Sequence, residues 1–381
     1  MQLSTHEADS LLRDGANALR QGRGADARAG LERLTAAGSS NPLAWLYLAI
    51  ACRAERDPAA EEQALNRLLE LEPQSIHGNT MKADCRAAAG DEPAAIYFYK
   101  AALRHAAGYE LPAEVAAEAR RAEQALTALQ QQAHIRREAV MTRHGLPPAT
   151  WSERFRLALD LAADRRQLFL QHPTTFYYPG LPNLQFFDPA GFAWVPALEA
   201  ATAAIRAELA DLLKGGTDDF RAYLEHDPAD LRLDATQDLI GNKDWSALFL
   251  VEHGREVPAV TGRCPRTWAA LQQAPLLDIP GRAPTAMFSL LKAGARIAPH
   301  TGMFNTRLVC HLPLIIPPGC RFRVGNEVRE WEVGKVMIFD DTIEHEAWND
   351  SNEDRVVLIF DIWRPELSAQ ERAELTALLA G

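Results

Sequence analysis

Small and large apolar residues recur every 34 residues through the first 109 positions of this 381-residue chain. Gly15, Ala49 and Ala83 occupy one position of this period, and Leu34 and Ala102 are in phase at a later one. The segment is rich in Ala, Leu and Glu, which are residues that favour helices. A period of this length is typical of architectures in which one supersecondary unit stacks on the next. The sequence therefore predicts a stack of paired helices.

The period resembles three degenerate tetratricopeptide repeats. In the second unit, Trp45, Ala49 and the closing Pro73 match that repeat, whereas Glu61 stands where Ala is usual. A generic helical bundle is the alternative interpretation of the same residues. Stacked helix pairs offer a groove for a peptide or a partner protein, and we expect this segment to help gather one.

Changes in pattern divide the rest of the chain. We expect the repeats to cover residues 1–110, a polar connecting helix to cover 111–145, and a second domain to cover 146–381. The boundary is placed at HGLPPATW, where two prolines and a glycine break the helical pattern. Residues 151–171 and 193–214 are predicted to be helices. A closing helix is expected after Ser368, which is a plausible N-cap.

From Asp244 onward the pattern becomes that of short β-strands. The predicted strands are WSALFLVEHG, TAMFSLLK, TRLVCHLPLII, CRFRVG, VREWEV, KVMIFD and RVVLIFDIW. VGNEV predicts a tight hairpin with Gly325-Asn326 at its turn. Many short strands without interleaved helices indicate a sandwich or a jelly roll. The predicted fold class is α+β multidomain, with an α-solenoid followed by a jelly-roll domain.

Composition excludes some classes of function. The net charge of -11 argues against non-specific binding to nucleic acids or anionic membranes, because such binding is favoured by a basic protein surface. The five cysteines are scattered and form no CxxC, so we expect reduced thiols and a cytoplasmic location. The N-terminus does not have the pattern of a secretory signal, and no apolar run approaches the ~18 residues of a membrane span.

Period-2 alternation places polar side chains among apolar ones on several predicted strands. Arg307 and His311 share one strand face, Ser289 lies on the face of Met287, and Arg355 shares a face with Asp361. A buried arginine is costly without an anion, so an inward arginine here is a candidate anion clamp. The alternative for each arginine is an outward side chain in a surface salt bridge.

Two histidines far apart in the chain are candidate metal ligands. His300 and His345 lie near predicted strand ends, as the two histidines of mononuclear non-haem iron sites do. A carboxylate two residues after the first histidine usually completes such a site, but Gly302 stands there. Asp340 or Asp341 could substitute, or could serve a turn. The alternative interpretation is a pair of hydrogen-bonded histidines near a loop.

An ordered series of residues between about 285 and 365 carries a family resemblance. The series is His300-Thr301-Gly302, Asn305, Arg307-Leu308, His311-Leu312, Pro317, Cys320, Val324-Gly325, Trp331, Gly334, Phe339-Asp340-Asp341, Glu344-His345-Glu346, Trp348-Asn349, Arg355, Asp361 and Trp363. It resembles the aspartyl/asparaginyl β-hydroxylase family of Fe(II)- and 2-oxoglutarate-dependent dioxygenases. Members from vertebrates also carry tetratricopeptide-like repeats before the catalytic domain.

The resemblance implies a double-stranded β-helix, a jelly-roll type, with an iron centre. It implies that His300 and His345 bind Fe(II) without a protein carboxylate, so that Gly302 fits the family pattern. Asp341 is then expected to hydrogen-bond a water in the open coordination position. These two histidines and Asp341 are the expected catalytic residues.

The resemblance also implies a site for the cosubstrate 2-oxoglutarate. Ser289 and Arg355 are expected to bind its distal carboxylate, and His311 its iron-side carboxylate. Animal members commonly have a second arginine two positions after the one that matches Arg307, whereas this chain has Val309. Arg307 is therefore expected to compensate and to contribute to cosubstrate binding; the alternative is that the substrate end of the pocket differs.

The expected reaction is hydroxylation of aspartyl or asparaginyl side chains of a peptide or protein, coupled to conversion of 2-oxoglutarate to succinate. Met287 stands where animal members have a lysine that contacts the substrate carboxylate, which weakens this substrate assignment. One alternative is a lipid or small-molecule hydroxylase of the same family. The alternative from another class is a non-catalytic tetratricopeptide adaptor with a degenerate barrel.

Overall fold

A computed structural model describes residues 3–223 and 241–380 of the chain. They form two compact units that divide between Leu159 and Asp160. This division lies further along the chain than residue 145, where the sequence pattern changes. Within the described residues, no helix is long and apolar enough to cross a membrane.

The first unit is built of helices, most of which begin at a residue whose side chain caps the helix. Its helices are α1 (Thr5–Arg20), α2 (Gly24–Ala36), α3 (Pro42–Ala54), α4 (Pro58–Leu71), α5 (Ile76–Ala88), α6 (Glu92–Ala106) and α7 (Ala113–Arg143). Helix α1 starts with a capping box, in which Ser4 and Glu7 each accept from the other's backbone N–H. Asn41, Asp57 and Asp91 cap α3, α4 and α6 through their side chains.

Consecutive helices of the first unit pack as pairs, and each pair packs on the next. The close pairs are α1 with α2, α3 with α4 and α5 with α6. Ala49 and Ala83, which share one position of the 34-residue period, are fully buried. At Gly15, the same position in the first repeat, a Cβ would lie 2.8 Å from Leu31, so a small residue lets the paired helices approach. The predicted helical repeats are confirmed, and a stack of pairs describes them better than a bundle.

Glu61, the residue that departs from the repeat pattern, is buried and paired. Its carboxylate accepts a hydrogen bond of 2.6 Å from Arg53 Nε. The same guanidinium donates to Asp84 on α5 at 2.9 Å, and the Tyr99 hydroxyl donates to Asp84 at 2.6 Å. This polar cluster joins the second repeat to the third, which explains how a charged residue is accommodated in the helix stack.

Helix α8 (Glu153–Ala162) is shorter than the predicted helix over residues 151–171, and that prediction was wrong beyond Ala162. Asp164 adopts a left-handed conformation with φ of 51°, which ends the helix. The N–H of Arg165 then donates to the carbonyl of Asp160 at 2.9 Å and closes the last turn.

The second unit contains short strands and several helices. Its strands are β1 (Phe186–Phe187), β2 (Arg221–Ala222), β3 (Trp245–Glu252), β4 (Arg255–Glu256), β5 (Ala286–Leu291), β6 (Arg296–His300), β7 (Arg307–Ile315), β8 (Cys320–Val324), β9 (Glu327–Glu330), β10 (Met337–Phe339), β11 (His345–Asn349) and β12 (Arg355–Trp363). Its helices are α9 (Val195–Ala200), α10 (Thr202–Leu213), α11 (Pro258–Thr261), α12 (Pro265–Leu271) and α13 (Ala369–Leu379). The predicted helix over 193–214 corresponds to α9 and α10. The predicted cap Ser368 starts α13 with a capping box.

The strands form two antiparallel sheets. The larger sheet has the order β1-β10-β7-β12-β5-β3-β2, with β4 paired to β3, and the smaller has the order β6-β11-β8-β9. The pairing of Val324 with Glu327 leaves Gly325-Asn326 as a two-residue turn, with Gly325 at φ of 54°. A positive φ at the first central position suits the right-handed twist of a hairpin, so the predicted turn is confirmed.

Both faces of the larger sheet are buried. One face packs on α9 to α12 and contributes Leu250, Phe288 and Phe360 to a core with Ile205 of α10. The opposite face packs on the smaller sheet in a second core. That core includes Trp245, Leu291, Phe322, Val324, Trp331, Phe339, Ala347 and Val357. The candidate functional residues lie in and around this second core, between the two sheets.

Two strands of the smaller sheet were missed by the sequence analysis. Strand β6 reads RIAPH and β11 reads HEAWN, and neither shows a run of β-branched residues. Pro299 is tolerated because β6 is an edge strand of its sheet. These are the strands that carry His300 and His345.

Candidate functional site

The two candidate metal ligands lie directly opposite one another. His300 ends β6, His345 begins β11, and the antiparallel register pairs them. Their ring centroids are 4.1 Å apart with the ring planes at 51°. A separation of this size lets one ion contact both rings, since metal–imidazole bonds are about 2.1 Å long.

Hydrogen bonds orient both rings in the same way. His300 Nδ1 lies 2.8 Å from the carbonyl oxygen of Ala298, and His345 Nδ1 lies 3.1 Å from that of Ile343. A carbonyl only accepts, so each Nδ1 carries the proton and each Nε2 keeps its lone pair. Burial lowers the pKa of His300, and burial followed by the neighbouring His300 lowers the pKa of His345 well below its usual value. Both rings are therefore neutral and suited to bind a metal.

Gly302 lies against the carboxylate of Asp341. The N–H of Gly302 donates to the Asp341 carbonyl at 2.6 Å. A Cβ built on Gly302 would overlap the carboxylate oxygens of Asp341. Among the described residues, no group of three or more His, Cys, Asp or Glu is arranged to hold a metal. Any side chain at position 302 would therefore displace Asp341, and the two histidines stand without a carboxylate ligand at that position.

Arg307 holds Asp341 in place. Its Nη2 donates to Asp341 Oδ2 at 2.7 Å, and its Nη1 donates to Asp361 Oδ2 at 3.0 Å. Burial alone lowers the pKa of Arg307, but these two carboxylates outweigh it and raise that pKa. Asp341 Oδ1 is buried and has no hydrogen-bond partner among the described residues. Arg307 is thus already paired through both terminal nitrogens, while its Nε is buried without a partner among the described residues. Its role in binding the cosubstrate stays a prediction.

Arg355 is a buried cation of a different kind. It is 1% exposed, and its Nε and Nη1 have no partner within the described part of the chain. Its guanidinium lies 4.8 Å from the ring centroid of Trp331. Burial lowers the pKa of Arg355 to about 10. An unpaired buried arginine is costly unless an anion joins it, so the geometry favours an anion-binding role.

Ser289 and His311 lie on the same face of the larger sheet as Arg355. Leu291 pairs with Arg355, Ser289 pairs with Val357, and His311 pairs with Ile359, so these side chains point into the second core. The predicted strand faces are therefore confirmed. Burial and then the charge of Arg355 lower the pKa of His311 well below its usual value, so its ring is neutral.

Two tryptophans within predicted strands, Trp245 and Trp331, have polar roles that the sequence did not indicate. Trp331 Nε1 donates to His311 Nδ1 at 3.3 Å, and Trp245 Nε1 donates to Ser289 Oγ at 3.2 Å. Because its Nδ1 accepts, His311 carries its proton on Nε2. The only available signal was the position of both tryptophans in or next to the predicted strands, which does not reveal a hydrogen-bond partner.

The site thus combines a neutral histidine pair with a buried arginine that has two unpartnered nitrogens within the described residues, as a candidate metal- and anion-binding site would. Residues 199–365 match the sequence model of the aspartyl/asparaginyl β-hydroxylase family. The predicted resemblance to that family is confirmed over these residues.

Individual relatives are hydroxylases. Aspartyl/asparaginyl β-hydroxylase of Mus musculus is 42% identical over 137 residues, which are 35% of this chain and 18% of that protein. Ornithine lipid ester-linked acyl 2-hydroxylase of Rhizobium tropici is 36% identical over 191 residues, which are 49% of this chain and 63% of that protein. The chain therefore spans about a fifth of the mouse relative and less than two thirds of the bacterial one.

Solved structures align with about a third of the chain. The translocator chaperone SycD of Yersinia enterocolitica has a TM-score of 0.32 at 16% identity, covering 34% of this chain and 96% of SycD. The first tetratricopeptide domain of human RPAP3 has a TM-score of 0.28 at 21% identity, covering 34% of this chain and 98% of that domain.

Proposed function

We propose that this chain is an Fe(II)- and 2-oxoglutarate-dependent dioxygenase, and that its two sheets are the halves of a double-stranded β-helix. The observation that carries the proposal is Arg355, whose Nε and Nη1 are buried without a partner among the described residues. Its guanidinium lies over Trp331 of the second core, and His345 contacts Phe339 of the same core. A non-catalytic adaptor would gain nothing from burying such a cation without a carboxylate.

The donor set suits the metal. His300 and His345 would bind Fe(II) through Nε2, since both Nδ1 atoms are engaged by carbonyls. Asp341 Oδ1, which is buried without a partner in the described part of the chain, would accept a hydrogen bond from a water on the metal. When bound, iron and 2-oxoglutarate supply oxygen activation that is coupled to decarboxylation to succinate.

The remaining polar groups suit a dicarboxylate. Arg355 Nε and Nη1, which have no partner among the described residues, would donate to the distal carboxylate of 2-oxoglutarate. The Ser289 hydroxyl would donate to the same carboxylate. The Nε2–H of His311, fixed by Trp331, would donate to the iron-side carboxylate. We assign Arg307 to holding Asp341, because Asp341 and Asp361 already occupy its terminal nitrogens.

The first candidate substrate is an aspartyl or asparaginyl side chain of a peptide or protein. Support comes from the family match and from the named mouse relative. We further propose that the helical repeats of the first unit help to gather such a substrate, as stacked helix pairs commonly do.

The second candidate is a lipid or small-molecule substrate with an apolar reacting group. Met287 and Val309 are apolar, and both lie on the sheet face of His311. Arg307 is paired with two carboxylates, so it offers no free charge to a second acid. The Rhizobium tropici relative, an acyl hydroxylase by name, aligns over more of this chain than the mouse protein does.

Anaerobic titration with Fe(II) and 2-oxoglutarate tests the proposed chemistry. We expect one equivalent of each to bind and to produce a metal-to-ligand charge-transfer band, followed by succinate formation when oxygen is admitted. His345→Ala should abolish the band and the turnover. His6→Ala, which changes an exposed histidine on α1, is the control and should behave like the unchanged chain.

The substrate question is answered by a succinate-release screen over aspartyl and asparaginyl peptides and acyl lipids, with mass detection of one added oxygen. Absence of both iron and 2-oxoglutarate binding in the unchanged chain would contradict the enzyme and support the adaptor.

A further inference from the structure

The loop after His300 and the loop before His345 are joined behind the site by a buried polar cluster that the proposed chemistry does not use. Arg364, which directly follows β12, is fully buried. Its Nη1 donates to Asp340 Oδ2 at 2.8 Å and to the carbonyl of Asn305 at 3.3 Å. Its Nη2 donates to the carbonyl of Pro182 at 2.7 Å. One guanidinium therefore contacts both loops.

Asp340 is saturated with hydrogen bonds. Its Oδ1 accepts from the backbone N–H and the hydroxyl of Thr342, at 3.0 and 2.6 Å. Its Oδ2 accepts from Gln171 Nε2 at 2.6 Å as well as from Arg364. Burial raises the pKa of Asp340, while Thr342 and Arg364 oppose that change. Every oxygen of this carboxylate is engaged, so the loop before His345 has little freedom to move.

Residues 171–178, which we name the tether, bind the same two loops. The Gln171 side chain donates to Asp340 and accepts from Asn305 Nδ2 at 3.0 Å. At the other end of the tether, the N–H of Tyr178 donates to Asn305 Oδ1 at 2.7 Å. Side chains therefore fix both ends of the tether.

The backbone of the tether adds contacts closer to the histidines. The N–H of His172 donates to the carbonyl of Thr342 at 2.7 Å, and the N–H of Thr174 donates to the carbonyl of Gly302 at 2.9 Å. Thr342 is three residues before His345, and Gly302 is two residues after His300. The tether thus spans the short distance between the two loops.

We propose that Arg364 and the tether are positioning elements for the histidine pair, acting through Asp340 and Asn305. This role rests on the proposed function, because it concerns the metal that the histidines would bind. Members of the cluster lie close to site residues in the sequence: Asp340 precedes Asp341, and Asn305 lies two residues before Arg307. Residues that do not bind a metal themselves but orient its ligands affect metal affinity by roughly 10–100-fold.

The test uses Co(II) alone as the probe, in the full chain without oxygen. Arg364→Lys keeps the charge but loses the fork that reaches both loops. Gln171→Ala removes the tether's side-chain contacts from a partly exposed position, so folding is retained even if Arg364→Lys proves unstable. The control is Arg296→Lys on β6, the strand of His300, where the side chain is 63% exposed and bonds Asp350.

We expect Arg364→Lys and Gln171→Ala to weaken Co(II) binding roughly tenfold or more and to alter the visible d–d spectrum of bound Co(II). Both are measured well below the melting temperatures of the variants. Arg296→Lys should match the unchanged chain. Unchanged Co(II) affinity and spectrum in folded variants with lowered melting temperature would overturn the positioning role and leave a purely structural one. If the unchanged chain itself bound no Co(II), the result would contradict the proposed metal site. It would therefore also contradict the positioning role.

Discussion

Two arginines at opposite ends of one strand are both buried, yet their surroundings differ. Arg355 begins β12 and Arg364 follows its last residue. Arg364 has a carboxylate partner in Asp340 and donates to backbone carbonyls. Arg355 lies over Trp331 and keeps two nitrogens without a partner in the described residues.

The difference separates a charge that the protein stabilises from a charge that a ligand must stabilise. Moving a cation out of water costs several kcal/mol, and only a well-oriented partner offsets that cost. Asp340 supplies the partner for Arg364. Burial lowers the pKa of Arg355 to about 10, and no carboxylate among the described residues opposes that change. We therefore infer that Arg364 stabilises the fold at one end of the strand, whereas Arg355 binds a ligand at the other end.

Substitution of Arg364, the paired arginine, is expected to have the largest effect on the free energy of unfolding. Arg364→Met leaves Asp340 buried without its cation, so we expect it to lower the free energy of unfolding by about 3–5 kcal/mol. Urea denaturation measures this loss. Arg296→Met, at an exposed ion pair, should change stability by less than about 0.5 kcal/mol. Similar losses for the two variants would show that the buried Arg364–Asp340 pair contributes no more to stability than an exposed ion pair does.

The unpaired arginine should respond in the opposite way. Arg355→Met removes an uncompensated buried charge, so the ligand-free variant should be at least as stable as the unchanged chain. The unchanged chain should gain about 2.7 kcal/mol from 2-oxoglutarate at 100 times its Kd, in the presence of Co(II), and the variant should gain almost nothing.

Thermal unfolding with and without 2-oxoglutarate measures both quantities for Arg355→Met. Succinate, which keeps two carboxylates but lacks the 2-oxo group, is the control ligand and should stabilise less. A variant that is strongly destabilised without ligand, or that keeps the full stabilisation, would contradict the comparison.

Part of this contrast could be predicted from the sequence. Alternation along TRLVCHL and RVVLIFD predicted which side chains share a face with His311 and with Arg355, because side chains of a strand alternate strictly between its two sides. It left open which of those faces points inward. The helical repeats and the capped closing helix follow equally local rules. Strands β6 and β11 do not, since their short polar sequences become strands only by pairing with each other and with β8.

The partners of the charges could not be predicted. Arg307 and Arg355 look alike in an alternating pattern, and only the register of β7 on β12 sets Asp361 beside Val309, within reach of Arg307. Likewise, Gln171 reaches Asp340 across 169 residues of sequence, which no local pattern encodes. Whether a buried charge is paired is decided by tertiary packing.

Gly302 extends the comparison to the adjacent aspartates, of which Asp340 is saturated and Asp341 is not. Gly302→Ala places a Cβ on the Asp341 carboxylate, and we expect overpacking to cost about 1–3 kcal/mol. Gly191→Ala is the control, because a Cβ there has nothing within 4 Å. In the Asp341→Ala background, Gly302→Ala should cost far less than in the unchanged chain, which a double-mutant cycle measures. An additive cycle would mean that the two residues are not in conflict.

The smallest expected effect concerns the buried charge of the helical unit. Glu61 is 5% exposed, but the side chain of its partner Arg53 is 37% exposed and also bonds Asp84. Glu61→Ala, which installs the residue usual in the repeat, therefore leaves Arg53 with a carboxylate and with water. We expect it to lower the free energy of unfolding by about 1 kcal/mol or less, measured by urea denaturation. Exposed Glu70→Ala is the control on the same helix. A loss as large as that of Arg364→Met would show that burial of one partner, rather than of both, determines the cost of breaking an ion pair in this protein.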